Sequence, residues 1–202
     1  MCFSFEVSLY TGLFSWASGL YILSKNNISQ YNRELTIFLL IFSVMQFSDA
    51  ILWHIDMKQN NINYIVTSFV IPIILSLQII YNIYYRRYCC FFSSKYTIRN
   101  NNNNTGLDII VFTSIAYLFY RFNGYSKSAC SNKLSSPIWG SNEIEPWEIL
   151  GFLILIAMPD IYIILLGFFI LYFVKLIING GIGSMWCAIA NILAVYLLYA
   201  TY

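Results

Sequence analysis

Residues 35–55 read LTIFLLIFSVMQFSDAILWHI, and Asp49 is the one formally charged side chain in this stretch. An α-helix rises about 1.5 Å per residue, so roughly 20 residues cross a bilayer core about 30 Å thick. The stretch is therefore long and apolar enough to form a membrane-spanning helix. It also needs a partner for its acid, because a charge near the centre of a membrane helix costs roughly 2.5–3.5 kcal/mol on insertion scales.

The composition of the whole chain predicts the same class of protein. Of its 202 residues, 59% are hydrophobic and 10% are charged, whereas about a quarter of the residues are charged in a typical soluble domain. We therefore expect lipid to be the solvent for most of the surface. The net charge of +2 is small and scattered, which argues against nucleic acid as a partner.

Six apolar stretches are long enough, or nearly so, to cross a membrane. They predict an all-α, polytopic transmembrane helical bundle that forms a single domain over residues 1–202. The predicted spans are residues 7–24, 35–55, 63–85, 107–122, 147–177 and 184–201. The fourth span is short, with Asp108 and Arg121 near its ends, and Arg121 can snorkel to the interface.

The fifth stretch, residues 147–177, is too long for one helix perpendicular to the membrane, and it contains Pro159 near its middle. Two interpretations compete. A single tilted helix can kink at Pro159. Alternatively, residues 147–157 lie on or dip into the membrane, and the true span begins at Pro159. We favour the kinked helix, because the sequence from Glu148 onward contains no loop pattern.

The distribution of Lys and Arg predicts that both termini are non-cytoplasmic. With that orientation, the inner loops hold Lys25, Arg33, Arg86, Arg87, Lys95, Arg99 and Lys175. The outer loops hold Lys58, Arg121, Lys127 and Lys133, together with several acids. Glycosylation sequons at Asn27 and Asn103 fall on the cytoplasmic side, where they would remain unmodified.

Seven polar side chains in or beside the predicted spans form a candidate polar core or ion path: Gln46, Asp49, His54, Gln78, Asn82, Asp160 and Asn191. No Lys or Arg lies at the depth of Asp49 in another span. This acid must then be protonated, held by neutral donors, or paired with a bound cation or with His54.

A hydrogen-bonded core that fixes which helices meet is the favoured interpretation of this set, and a proton or cation path is the second. Catalysis ranks last, because no activated nucleophile or oxyanion site is evident, and no catalytic residue is predicted. Asp49 and His54 are five residues apart and diverge by about 140° around an ideal helix.

Small residues at helical spacing mark one face of the first span, namely Ser8, Gly12, Ser15 and Gly19. Such a stripe lets a neighbouring backbone approach closely. Internal helix packing is the favoured interpretation, and a homo-oligomer contact is the alternative.

The cysteines predict modification more than metal binding. There is no CxxC pair and His54 is the only histidine, so we expect no metal site and no cofactor. Cys89 and Cys90 follow the third span, where either palmitoylation or unmodified thiols fit equally. Cys2 and Cys130 both fall on the predicted outer side and could form a disulfide in a secretory lumen.

Four passages resemble an uncharacterised family of multi-spanning membrane proteins found in large DNA viruses and microbial eukaryotes. That family opens with a Met-Cys-aromatic-Ser signature. The matching passages are Met1-Cys2-Phe3-Ser4, Val44-Met45-Gln46-Phe47-Ser48-Asp49, Ala129-Cys130-Ser131 through Ile138-Trp139, and Gly183-Ser184-Met185-Trp186-Cys187. The chain departs from the family in its fourth span and the loop after it. The resemblance implies a viral or microbial membrane protein without an assigned activity, in a host endoplasmic reticulum or virion membrane.

The sequence thus predicts a multi-pass membrane protein with a structural or interaction role. The first alternative is a small proton- or cation-linked transporter or channel, and the second is a membrane-embedded lipid-modifying enzyme that uses Asp49 and His54.

Overall fold

A computed structural model describes residues 4–86, 104–131, 134–140, 142–157, 161–177 and 182–201. This part of the chain is mostly helical, as predicted. Its helices are α1 Phe5–Leu23, α2 Gln30–His54, α3 Asn61–Tyr85, α4 Asn104–Arg121, α5 Pro146–Ala157, α6 Ile161–Ile177 and α7 Ile182–Ala200. An antiparallel β-hairpin, which was not predicted, lies between α4 and α5 and consists of β1 Lys127–Ser131 and β2 Leu134–Ile138.

Short polar side chains fix the starts of the first three helices. Ser4, Ser29 and Asn60 precede α1, α2 and α3, and each side-chain oxygen accepts a hydrogen bond from the backbone N–H three residues later. Such N-caps satisfy one of the donors that a helix start leaves without an intrahelical partner. The helices consequently begin a few residues before the apolar stretches predicted as spans.

Helix α3 is continuous but irregular. Its turns widen to π-helix at Val66–Val70 and again in the segment Tyr81–Arg86, which contains the end of α3. Pro72 follows the first of these segments. Proline has no N–H, and its ring collides with the carbonyl four residues earlier in a regular α-helix. The widened turn accommodates the proline without breaking the helix.

Helix α2 lies at the centre of the bundle and packs against α1, α3 and α7. Leu39, Met45 and Leu52 are fully buried along its length. Within the described part of the chain, α2 and α3 are the two helices that are long and apolar enough to cross a membrane. By itself this is a weak indication of membrane association, since buried helices of soluble proteins can have the same length and composition.

The small-residue face of α1 packs inside the bundle. A Cβ atom at Gly12 would lie 3.0 Å from Phe47 Cε1, and one at Gly19 would lie 2.7 Å from Leu40 Cδ2. Ser8 and Ser15, on the same face, are buried. The four residues therefore pack against intrachain neighbours, as the favoured interpretation has it, and the homo-oligomer contact stays a prediction.

The stretch 147–177 forms two helices, and the kinked single helix is wrong. Residues 158–160, including Pro159 and Asp160, lie outside the described residues. A Cβ atom at Gly167 of α6 would lie 3.3 Å from Leu153 of α5. Fourteen residues along one helix would separate these positions by about 21 Å. The chain therefore doubles back between α5 and α6.

This reversal places the described ends of the chain at opposite ends of the bundle. Phe5 packs against His54, with ring centroids 5.3 Å apart, at the end that carries the β-hairpin. We call this the cap end. Lys25 Nζ donates to the carbonyl of Thr201 at 3.3 Å at the other end, which we call the base end. The prediction that both termini lie on one side of the membrane rested on counting residues 147–177 as a single crossing. The reversal between α5 and α6 removes that premise.

Candidate functional site

Asp49 is fully buried in α2 and is held by an indole. Trp139, just after β2, donates a hydrogen bond from Nε1 to Asp49 Oδ1 at 2.8 Å. Trp139 is itself buried. Of the partners considered for this acid, the structure supplies a neutral donor. The hairpin segment thus reaches into the bundle and covers the carboxyl group.

His54 lies apart from Asp49. Its ring packs against Phe5 at the cap end, and its side chain is exposed, whereas Asp49 is enclosed. The structure therefore does not bring these two residues together as an acid–base pair. The lipid-modifying enzyme that was considered required them to converge.

The amides of α3 have different environments. Asn82 Nδ2 donates to the carbonyl of Leu155 at 2.9 Å and thereby ties α3 to α5. That carbonyl lies in the last turn of α5, where helix carbonyls lack an intrahelical donor. Gln78, one turn earlier, is also buried, and neither polar atom of its amide has a hydrogen-bond partner among the described residues.

The other residues singled out by the sequence, including the cysteines, lie in different parts of the structure or outside the described residues. Gln46 is buried in α2 beside the close approach of Gly12. Asn191 of α7 accepts a hydrogen bond from Ser15 Oγ at 3.3 Å and joins α7 to α1. Asp160, Cys2, Cys89 and Cys90 lie outside the described residues, and Cys130 falls in β1 without a described side chain.

Three other acids in the bundle also receive aromatic hydroxyl donors. Tyr81 donates to the Glu34 carboxylate, and Tyr84 donates to Asp108 near the base end. Tyr117 donates to Glu148 Oε1 at 2.6 Å, where Arg121 also binds. These tyrosine hydroxyls thus solvate carboxyl groups of neighbouring helices.

A buried polar cluster at the cap end was missed by the sequence analysis. Asn63 Nδ2 donates to the carbonyls of Met57, Lys58 and Ser126 at 3.1, 3.2 and 3.0 Å. Its Oδ1 accepts from the Ser126 N–H and from Thr67 Oγ1. One amide therefore joins the α2–α3 turn to the loop after α4.

This cluster also stabilises an unusual backbone. Asp56 and Met57 have φ values of 52° and 50°, a left-handed conformation that non-glycine residues adopt infrequently. The Asn63 amide binds the carbonyl of Met57, so it holds the turn in place. The signal for this role was weak, because one Asn at a helix start resembles an ordinary capping residue.

Most of the described polar groups form hydrogen bonds that join separate segments of the chain. Trp139, Asn82 and Ser15 each connect elements that are distant in sequence.

Comparisons with protein-family models, with curated proteins and with solved structures found no match to this chain. The resemblance based on the Met1-Cys2-Phe3-Ser4 opening therefore stays a prediction.

Proposed function

We propose that the chain is a multi-pass integral membrane protein with a structural or interaction role. The observation that carries this proposal is an inverted polarity. Large apolar side chains such as Phe112, Leu166 and Ile192 are more than 60% exposed on α4, α6 and α7. Gln46, Gln78 and Asn82 are instead buried. Lipid solvates the first group favourably, whereas backbone and side-chain polar groups must be satisfied internally.

In this proposal the six apolar stretches make seven crossings, because residues 147–177 cross as the α5–α6 hairpin. Helix α5 contains 12 residues and is about 18 Å long, shorter than a core of about 30 Å, so in this proposal it crosses as one arm of the α5–α6 hairpin and the bilayer thins beside it. The loop and β-hairpin before it occupy the cap side. The base end, with Lys25 and Arg33, faces the cytoplasm according to the positive-inside rule.

The topology is tested with glycosylation acceptors in microsomes. One acceptor is placed between β1 and β2, and another is appended after Tyr202. We expect the first to be glycosylated and the second, like native Asn27, to remain bare. Glycosylation of both added acceptors would restore the six-span topology with both termini outside. Release of the protein by alkaline carbonate would overturn membrane integration itself.

A structural role is favoured over ion transport by the surroundings of Asp49. A transporter requires water to reach this acid from one side. Asp49 has no exposed surface, and the buried Trp139 ring lies against it. In proteoliposomes we expect the same passive proton and potassium leak for the wild type, for Asp49→Asn and for empty vesicles. A wild-type flux above the empty vesicles that Asp49→Asn removes would make the transport alternative correct.

A further inference from the structure

A cavity of about 580 Å³ lies between α3, α4 and α5. It is next to the hydrogen bonds that join Trp139 to Asp49 and Asn82 to Leu155. Its volume falls within the range of pockets that bind small molecules, roughly 300–1,000 Å³. Most of its wall is aliphatic or aromatic, including Leu75, Ile79, Leu118, Trp139, Phe152 and Leu155. Trp139 lines the cavity, while its Nε1 binds Asp49.

The cavity opens to the side of the bundle. Its floor residues Leu75, Ile79 and Leu118 are buried, whereas Ile110 and Ile154 on its rim are 51% and 38% exposed. These rim residues belong to α4 and α5, whose exposed faces are apolar. A ligand can therefore enter from the surrounding lipid without leaving an apolar environment.

Gly151 marks the open space between the two rim helices. A Cβ atom at this position would meet no atom within 4 Å. This glycine lines the cavity and lies one turn from Leu155 on α5. A larger side chain at position 151 would project into space that the protein leaves unfilled.

A polar group lies at the start of α5. Arg121 Nε donates to Glu148 Oε1 at 2.6 Å, and both residues line the cavity. Their side chains are 12% and 8% exposed, so the ion pair is largely enclosed. Arg121 Nη2 also donates to the carbonyl of Glu143 at 2.7 Å. Tyr117 completes the group through its bond to Glu148.

The charges of this group cancel. A lone arginine would favour an anionic ligand, because it would be an unpaired cation at an apolar cavity. Here Glu148 already occupies the guanidinium, so an anionic head group would have to compete with an enclosed carboxylate. A head group that is uncharged or zwitterionic can instead bind the edge of the pair without disrupting it.

We propose that this cavity binds one acyl chain of a membrane lipid whose head group is uncharged or zwitterionic and contacts the Arg121–Glu148 pair. The inference rests on the proposed membrane location. The apolar walls contact the chain, since an unfilled cavity forfeits dispersion contacts that a lipid tail supplies. The ion pair fixes the end at which the head group lies.

The test uses the full-length protein in detergent micelles with a photoreactive phosphatidylcholine that carries a diazirine in its acyl chain. Labelled peptides are located by mass spectrometry. We expect wild-type labelling on α3, α4 and α5 at the cavity wall. Gly151→Leu should reduce this labelling at least about fivefold, because the new side chain occupies the cavity.

Gly106→Leu is the matched control. Gly106 also lies in a helix, and a Cβ atom there would meet nothing within 4 Å, but the residue does not line the cavity. It should label like the wild type. Labelling of Gly151→Leu at the wild-type level, or an equal loss in both variants, would overturn the site.

Glu148→Gln tests the head-group part of the proposal. Glutamine can still accept bonds from Arg121 and Tyr117, but the pair then carries a net positive charge. We expect the preference for phosphatidylcholine over phosphatidylglycerol to shift about tenfold toward the anionic lipid. A wild type that already prefers the anionic lipid, or a variant with unchanged preference, would contradict the proposed charge matching.

The failure of this inference is distinguishable from failure of the proposed function. Each variant is first tested for carbonate-resistant membrane integration. If the wild type is released, the membrane proposal fails. If the wild type is retained but Gly151→Leu labels normally, membrane location stands and the lipid site alone is wrong.

Discussion

The seam between α1 and α2 and the gap between α4 and α5 use glycine in opposite ways. At Gly19 of α1, an added Cβ atom would lie 2.7 Å from Leu40 Cδ2. At Gly151 of α5, it would meet nothing within 4 Å. The first glycine permits close approach of two helices, whereas the second borders unfilled space.

This difference shows that a small residue in an apolar helix does not define its own role. A stripe of small residues favours tight helix packing, as in the α1–α2 seam. A single glycine on α5 instead contributes to a cavity wall. What decides between the two is the partner: α1 packs along α2, whereas α5 faces α4 across the cavity.

The largest effect should come from Gly19→Leu. The added side chain must displace Leu40 and separate α1 from α2, so we expect a loss of more than about 3 kcal/mol in unfolding free energy. Thermal denaturation followed by fluorescence size-exclusion chromatography gives the ranking, with Gly151→Leu as the matched variant. Equal melting temperatures for the two variants would remove the distinction between seam and cavity.

Trp139→Phe should have the next largest effect, because this residue borders the cavity and binds the seam helix α2. Phenylalanine fills similar space but leaves the buried Asp49 carboxyl without its indole donor, at a cost of about 1–3 kcal/mol. In the double variant with Asp49→Leu, the second change should cost much less than it does alone. Additive losses in denaturant titration would show that the hydrogen bond has little weight.

Asn82→Ala should weaken the attachment of α5 to α3 by about 1 kcal/mol, since the carbonyl of Leu155 loses its donor. Hydrogen–deuterium exchange of the α5 backbone should accelerate while α1 exchange stays unchanged. Faster exchange throughout the protein would indicate that the contact supports the whole bundle. The α1–α2 seam and the region around α5 would then not be independent.

The smallest effect should come from alanine at the two glycines. Gly151→Ala should raise unfolding free energy by about 0.5–1 kcal/mol, because alanine favours helix and space is available. Gly19→Ala should not raise it, since the methyl group fits only if Leu40 Cδ2 shifts. A rise at position 151 without one at position 19 is expected in matched thermal melts, and an equal rise would contradict the packing difference.

The positions of the helices were predictable because the length of an apolar run is close to the length of the helix that it forms. The stretches at residues 7–24 and 63–85, for example, lie within two residues of α1 and α3 at each end. A helix needs only local hydrogen bonds, so its existence follows from local sequence. The number of membrane crossings stays a prediction.

The reversal between α5 and α6 was not predictable in the same way. Pro159 marks an interruption, but a kink and a complete reversal begin with the same residue type. The partner of Asp49 was also hidden. Trp139 lies 90 residues away in sequence, in a loop, and an indole is an unexpected donor where basic residues are usually sought. Asn63 and Ser126 are likewise joined over 63 residues.

In the proposed membrane topology, the doubled-back hairpin of α5 and α6 affects how the chain is inserted during synthesis. A segment about 18 Å long offers an insertion machinery too little apolar length for stable release into lipid on its own. It becomes stable only when α6 follows and packs against it. We therefore expect α5 to wait beside the translocon until about 20 more residues have emerged, and then to be integrated together with α6 as a pair.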